Sequence, residues 1–255
     1  MGIRSENNAG HEARDECAVR IAATGDIHLG RDGDQERWTA AFEGLRERVD
    51  LVLLAGDLTT HGEPEQAAMV AGAVQGLDVP ILCVLGNHDW HVNRRDELVA
   101  VLQEGGIDVL EREHRVLEIC DAEVGIAGTK GFGGGFAGAC GSDFGEPEMK
   151  SFVQHTRDLS DALGRALDSL DTDARIALTH FAPVKDTLGA ERLEIYPFLG
   201  SYLLGEAIDR AGADLAVHGH AHNGSEKGLT PGGIPVRNVA LPVLKTAYAV
   251  YCLGS

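Results

Sequence analysis

The residues best suited to chemistry are histidines, aspartates and one asparagine standing at the ends of apolar runs. Val217-His218-Gly219-His220-Ala221-His222-Asn223-Gly224 places three imidazoles at alternate positions, directly after Leu215-Ala216. Neutral imidazole is a common ligand for transition metals, and it suits manganese, iron or zinc when mixed with carboxylates. Four upstream segments share this layout: Gly25-Asp26-Ile27-His28, Gly56-Asp57, Gly86-Asn87-His88-Asp89, and His180 after Ile176-Ala177-Leu178-Thr179. Taken together they offer enough donors for two metal ions.

The spacing supports a shared site. Extended chain alternates its side chains, so Asp26 and His28 are expected on one side with Ile27 on the other, and His220 and His222 likewise about Ala221. Gly25, Gly56, Gly86 and Gly219 stand before the donors, where tight turns or close backbone approach are needed. Asp57 is the only functional group its run offers and is the natural bridge between two cations. Mixed Asp, Asn and His donors favour manganese, iron or zinc over calcium or magnesium, which prefer oxygen alone. Two such ions about 3.5–4 Å apart can lower the pKa of a bridging water and clamp a displacement at phosphorus. Singly, each donor has an ordinary reading. Asp26 and Asp57 can cap a turn or helix, Asn87 suits a β-turn, and a lone His180 suits a hydrogen-bonded core position. It is the ordered set that points to metal.

The elements that must position these donors follow from periodicity. Val19–Thr24, Leu51–Ala55, Ile81–Leu85, Arg175–Thr179 and Asp214–Val217 read as buried strands. Asp34–Arg48, Glu63–Gly76 and Arg95–Glu104 read as helices, the second opened by Pro64. This alternation predicts a mainly parallel sheet with helices against it. Val109-Leu110, Arg115–Ile119 and Glu123–Ala127 read as hairpin strands, Pro147–Leu170 as a long helix with a Phe152, Leu159, Leu163, Leu167 stripe, Asp186–Ser201 as loop and Tyr202–Ala211 as helix. Ile234–Val239, Leu244 and Ala247–Leu253 complete a set of roughly ten strands in two groups. The loop Gly128–Gly138 lacks the strand, phosphate loop and helix order of a nucleotide site. It is expected to be either a lid or an irregular crossing.

Composition sets outer limits. The chain has 255 residues, 44% of them hydrophobic, and a net charge of −18. Residues 1–17 are expected to form a flexible tail and residues 18–255 a single domain. Such acidity disfavours a nucleic acid polymer, whose affinity comes from Lys and Arg on phosphates. A small phosphate ester remains open to it, because bound metal reverses the local field. The scattered Cys17, Cys83, Cys120, Cys140 and Cys252 fit a reducing compartment better than a disulfide framework, with Cys83 and Cys120 expected buried. No apolar leader opens the chain and no stretch is long enough for a membrane span, so a cytoplasmic location is expected.

The order DxH, GD, GNHD, lone His, GHxH resembles the calcineurin-like metallophosphoesterase superfamily, from Asp26 to His222. The resemblance implies an α/β fold, a four-layer α/β/β/α sandwich of two mixed sheets flanked by helices. It implies one metal held by Asp26, His28, Asp57 and His222 and another by Asp57, Asn87, His180 and His220. It also implies that His88 protonates the leaving oxygen and that Asp89 orients His88. The implied activity is hydrolysis of a small phosphate ester, a phosphodiester favoured and cyclic nucleotides included, by in-line attack of a metal-bridging hydroxide. A phosphomonoesterase or protein phosphatase is the alternative, although no paired arginines flank the motifs. A non-catalytic scaffold conflicts with the complete donor set.

Several residues fall outside this pattern. His218 stands where the family usually has a small or apolar residue, and it is not assigned as a ligand. His91 and Arg31 lie near the motifs and could reach a phosphate, as could Lys130 in the glycine-rich loop, although a solvated charge is the simpler reading of the last two. His11, His61, His114 and His155 read as surface residues.

Overall fold

The computed structural model describes residues 3–5 and 19–254. Strands β1 (Ile3–Ser5), β2 (Val19–Thr24), β3 (Leu51–Ala55), β4 (Ile81–Val84) and β5 (Asp108–Val109) belong to one sheet, with β14 (Ala249–Leu253). Its order is β1-β14-β2-β3-β4-β5, parallel from β2 to β5 and antiparallel at β14 and β1. A second sheet holds β6 (Glu113–Ile119), β7 (Ala122–Thr129), β10 (Ala174–Thr179), β11 (Leu215–His218), β12 (Lys227–Leu229) and β13 (Pro235–Asn238). Its order is β12-β13-β11-β10-β7-β6, with a parallel centre and antiparallel edges. The short pair β8 (Gly135–Phe136) and β9 (Ala139–Cys140) stands apart.

Two-residue alternation explains the layering. Ile21, Leu53 and Val84 of the first sheet pack with Ile126, Ile176 and Val217 of the second, forming a core between the sheets. The intervening Ala22, Val52, Leu54 and Cys83 face the other way. They pack under helices α1 (Asp34–Phe42), α2 (Pro64–Ala73) and α3 (Arg95–Glu104), with Trp38, Phe42 and Leu98. On the far side, Ala127, Ala177 and Ala216 meet Leu163, Leu167, Leu204 and Ile208. The last four belong to α4 (Pro147–Asp168) and α6 (Tyr202–Ala211). These strands are apolar on both faces because both faces are covered. The result is helices, sheet, sheet, helices: the four-layer sandwich.

Most departures from the expected elements have local causes. Gly44, at φ 72°, ends the first helix early and leaves a 3₁₀ turn at Leu45–Glu47. The expected loop from Asp186 contains 3₁₀ turns at Lys185–Leu188 and Leu193–Ile195 and the helical turn α5 (Tyr196–Leu199). Leu244 closes the helical turn α7 (Leu241–Leu244), opened by Pro242, and is not a strand. Cys83 is buried, but Cys120 is exposed in the turn between β6 and β7, at φ 50°. Of the expected N-terminal tail, residues 3–5 pair with β14 and the others lie outside the described residues. The glycine-rich loop is an ordered, largely buried crossing. Its first two residues finish β7, and Gly135 and Phe136 form β8.

The parallel strands of both sheets direct their carboxyl ends to one edge, where ligands gather in open α/β sheets. Asp89 ties those ends together. Its buried carboxylate accepts from the Gly86 N–H (2.8 Å) and Leu58 N–H (3.2 Å) on one oxygen, and from the Thr59 N–H (2.9 Å) and hydroxyl (2.7 Å) on the other. An Asp89→Asn side chain keeps only one accepting oxygen and turns an NH₂ toward backbone donors. The substitution should therefore lower stability by about 1–3 kcal/mol in urea denaturation. An unchanged unfolding midpoint would contradict this anchoring.

Candidate metal centre

Each donor group sits on a turn directly after a strand. β2 runs into Gly25-Asp26, β3 into Gly56-Asp57, β4 into Gly86-Asn87, β10 into His180 and β11 into Gly219-His220. The turns are tight and conformationally costly. Asp26, His28, Asp57 and His220 have φ of 56°, 48°, 49° and 69°, in the left-handed region. Side chains seldom adopt it, although Asp and His do so more readily than most. The donors therefore converge through left-handed turns and not through the continued extended alternation expected from sequence. Glycine is required beside them. A Cβ on Gly86 would strike the Asp57 carboxylate, and one on Gly219 would strike that of Asp26.

Three overlapping donor groups result, with the donor atoms of each group within 4.8 Å of one another: Asp26, His28 and His222; His28, Asp57 and His88; Asp57, His180 and His220. Asp57 and His28 join them into one cluster. Asp57 Oδ1 lies 3.4 Å from His180 Nε2, and its Oδ2 lies 3.9 Å from His28 Nε2 and 4.0 Å from His88 Nε2. Asn87 joins through Oδ1, 3.1 Å from His180 Nε2. His222 Nε2 is 2.8 Å from Asp26 Oδ1. All seven donors expected from sequence meet at this edge, with His88 beside them.

Backbone carbonyls orient the imidazoles. His180 Nδ1 donates to the Ala55 carbonyl (2.8 Å), His88 Nδ1 to the Thr60 carbonyl (2.8 Å) and His220 Nε2 to the Phe198 carbonyl (3.0 Å). Each bond fixes a tautomer and leaves the other nitrogen for the cluster, as around bound metals. The partner of His88 is thus Thr60 and not Asp89, whose oxygens are taken up by Leu58, Thr59 and Gly86. Sequence reasoning had no signal for these partners, since any residue supplies a carbonyl.

The electrostatics fit cations. Burial opposes charge on His180, but the Asp57 carboxylate outweighs it and raises its pKa to about 9. Asp57 is likewise held far below the usual carboxylate range, because His180 overcomes its burial. The hydrogen bond to Asp26 raises the pKa of His222. Burial, with help from the charge of His180, pushes His220 down to about 4, and burial also lowers His28. His180 thus holds a proton where a cation would balance charge, the carboxylate of Asp26 favours the same at His222, and burial favours the neutral form of the other two. Neutral imidazole and ionised carboxylate are the forms that bind metal.

The remaining candidates are not among the three donor groups. His218 is fully buried and donates from Nδ1 to the Gly219 carbonyl (2.7 Å), with Nε2 2.8 Å from the Thr187 hydroxyl. Burial lowers its pKa to about 4, so it is a neutral brace beneath the site. Arg31, His61 and His91 are exposed, the last two with ring centroids 5.7 Å apart. His114 and His155 are half-buried, His155 against Phe132, and His11 lies outside the described residues.

A glycerophosphodiester phosphodiesterase of Enterobacter lignolyticus is 40% identical over 48 residues, covering 19% of this chain and 17% of that protein. A probable cyclic nucleotide phosphodiesterase of Synechococcus is 34% identical over 86 residues, covering 30% of this chain and 34% of that protein. These matches span about a third or less of each relative's own length. A phosphopantetheinyl hydrolase from Mycobacterium tuberculosis superposes with a TM-score of 0.65 at 17% identity, over 88% of this chain and 89% of that one, which shows a common fold. The family model described as calcineurin-like phosphoesterase matches residues 19–224, and the chain belongs to that family.

Proposed function

We propose that this protein hydrolyses a small phosphate ester, preferentially a diester, using two divalent metal ions of the manganese, iron and zinc type. The observation that carries the proposal is the position of Asp57, whose two oxygens face His180 on one side and His28 on the other. In this reading Asp26, His28, Asp57 and His222 hold one ion, and Asp57, Asn87, His180 and His220 hold the other. Bound there, the ions would neutralise phosphoryl oxygens and activate water. The partial matches to two proteins named phosphodiesterases support the diester preference. The scattered cysteines, free at the described positions Cys83, Cys120, Cys140 and Cys252, support a cytoplasmic setting. No helix among the described residues is long and apolar enough to cross a membrane.

The chain's own residues handle the leaving group. With Nδ1 committed to Thr60, His88 presents Nε2 at the open side of the cluster, being half-buried where His180 is fully buried. Nε2 is therefore the atom from which a proton passes to the departing oxygen. Its backbone N–H donates to Asp57 Oδ1 at 2.8 Å, which fixes the acid relative to the bridging carboxylate.

Three outcomes follow from these assignments. Asp57→Asn and His220→Ala should leave the purified protein short of metal by elemental analysis and lower hydrolysis of bis(4-nitrophenyl) phosphate by ~100-fold or more; normal metal content with normal turnover would refute the site. His88→Ala should keep its metals and slow alkyl esters by roughly 10²–10⁴-fold, with a much smaller loss for nitrophenyl esters. Equal losses for both would remove the acid role. Metal uptake should also release protons. The raised pKa of His180 means that its pairing with Asp57 stabilises the metal-free protein fully below its unfolded value near 6.5, and that this contribution is lost as pH rises through about 9. Metal affinity should accordingly climb between those values, and calorimetry in buffers of different ionisation enthalpy at pH 7 should detect proton release. A pH-independent affinity would contradict the His180 assignment.

A further inference from the structure

Lys130 is the one residue of the glycine-rich crossing that carries charge, and it is almost wholly buried, at 8% exposed. Its ammonium has no hydrogen-bond or ion-pair partner among the described residues. The nearest acid, Glu111, is already engaged: one oxygen accepts from the Thr129 hydroxyl at 2.8 Å and the other from Lys130's own backbone N–H at 3.2 Å. What surrounds the ammonium is aromatic, with Phe132, Phe181 and Trp90 ring centroids 4.9, 5.0 and 5.9 Å from Nζ. Three ring faces offset part of the cost of burying a cation, and no described residue accepts from its N–H groups.

The position of this cage gives it meaning. Trp90 closes the 3₁₀ turn that begins at His88 and stays 38% exposed. Phe181 follows His180 and packs on the His220 ring, centroids 4.3 Å apart. The ammonium therefore stands between the segment bearing the proposed acid and the segment bearing the proposed ligand His180. It is also within electrostatic range of Asp57. The fold does not need the side chain for this, because the Lys130 carbonyl alone accepts from the His180 and Phe181 N–H groups, at 3.0 and 3.1 Å.

We infer that Lys130 is an anion-binding residue of the site, its caged ammonium taking an oxygen of the substrate's phosphoryl group beside the metals. This rests on the phosphoesterase reading and adds to it a fixed positive charge supplied by the chain itself. A phosphate carrying two negative charges gains more from it than a diester carrying one.

The test is calorimetric titration of inorganic phosphate into the metal-loaded protein. Lys130→Met fills the cage without charge and should weaken phosphate binding at least tenfold with metal content unchanged, while Lys130→Arg recovers most of the affinity. The thermal midpoint of Lys130→Met should equal or exceed that of the parent, since an unpaired buried cation has been removed. KM for 4-nitrophenyl phosphate should rise more than KM for bis(4-nitrophenyl) phosphate. Phosphate affinity within twofold of the parent, or equal KM changes for monoester and diester, would overturn the inference. A parent protein that hydrolyses no ester would instead sink the phosphoesterase reading, while the phosphate titration still reports on Lys130.

Discussion

Two buried carboxylates set the terms for everything around them. Asp26 and Asp57 are 2% and 1% exposed, and a carboxylate so placed is tolerable only if it is paired and hydrogen-bonded. Each takes one backbone N–H and one imidazole. Asp26 accepts from the His220 N–H (2.9 Å) and meets His222; Asp57 accepts from the His88 N–H and meets His180. These partners come from the other sheet or from the next strand, so satisfying the two charges pins the sheet edges together. Beneath them Asp89 does the same for the turns after β3 and β4. The layered core brings five strand ends to one edge, and the carboxylates hold their turns in register.

That arrangement is held against backbone cost. At the site, Asp26, His28, Asp57 and His220 lie in the left-handed region, at about 1–3 kcal/mol each. All four are donors, and glycines nearby make room for the site: Gly86 for the Asp57 carboxylate, Gly219 for that of Asp26, and Gly56 for the His180 ring. Strain of this kind persists only where the surroundings overdetermine it. Here the rigid strand before each turn and the charge-assisted bond after it supply that determination. Asp26, His28, Asp57 and His220 thus each need two properties at once, donor chemistry and tolerance of positive φ.

Much of this was legible in the sequence because both properties are written in side-chain types. The donors appear as Asp, Asn and His after apolar runs with glycine beside them, and the alternation of inward and outward apolar residues gives the sheets. What could not be read is whatever the backbone supplies. The carbonyls of Ala55, Thr60 and Phe198, which orient three imidazoles, belong to residues of no special type. Proximity in sequence also misled: Asp89 adjoins His88, yet its oxygens turn inward to the Thr59 and Gly86 N–H groups. The glycine-rich crossing was ambiguous for a related reason. Its glycines answer to packing contacts distant in sequence, such as Gly134 against Ser201 and Gly131 against Leu204. Through the 197–201 segment they back up the Phe198 carbonyl that holds His220.

The same charges explain why the site can be built before it is loaded. Without metal, His180 carries the positive charge that Asp57 requires, the bond to Asp26 favours the charged form of His222, and burial favours the neutral forms of His28 and His220. Exchanging those protons for divalent cations changes what balances the carboxylates but not the need for balance. The turns, hydrogen-bonded through backbone groups that take no part in the exchange, can therefore stay where they are. An imidazole anchored through its other nitrogen to a carbonyl has only a proton to give up on loading, and little orientational freedom to lose. A chain with a net charge of −18 also favours cation approach over the long range. Preorganisation here follows from carboxylates that are already paired, and imidazoles already anchored, before any metal arrives.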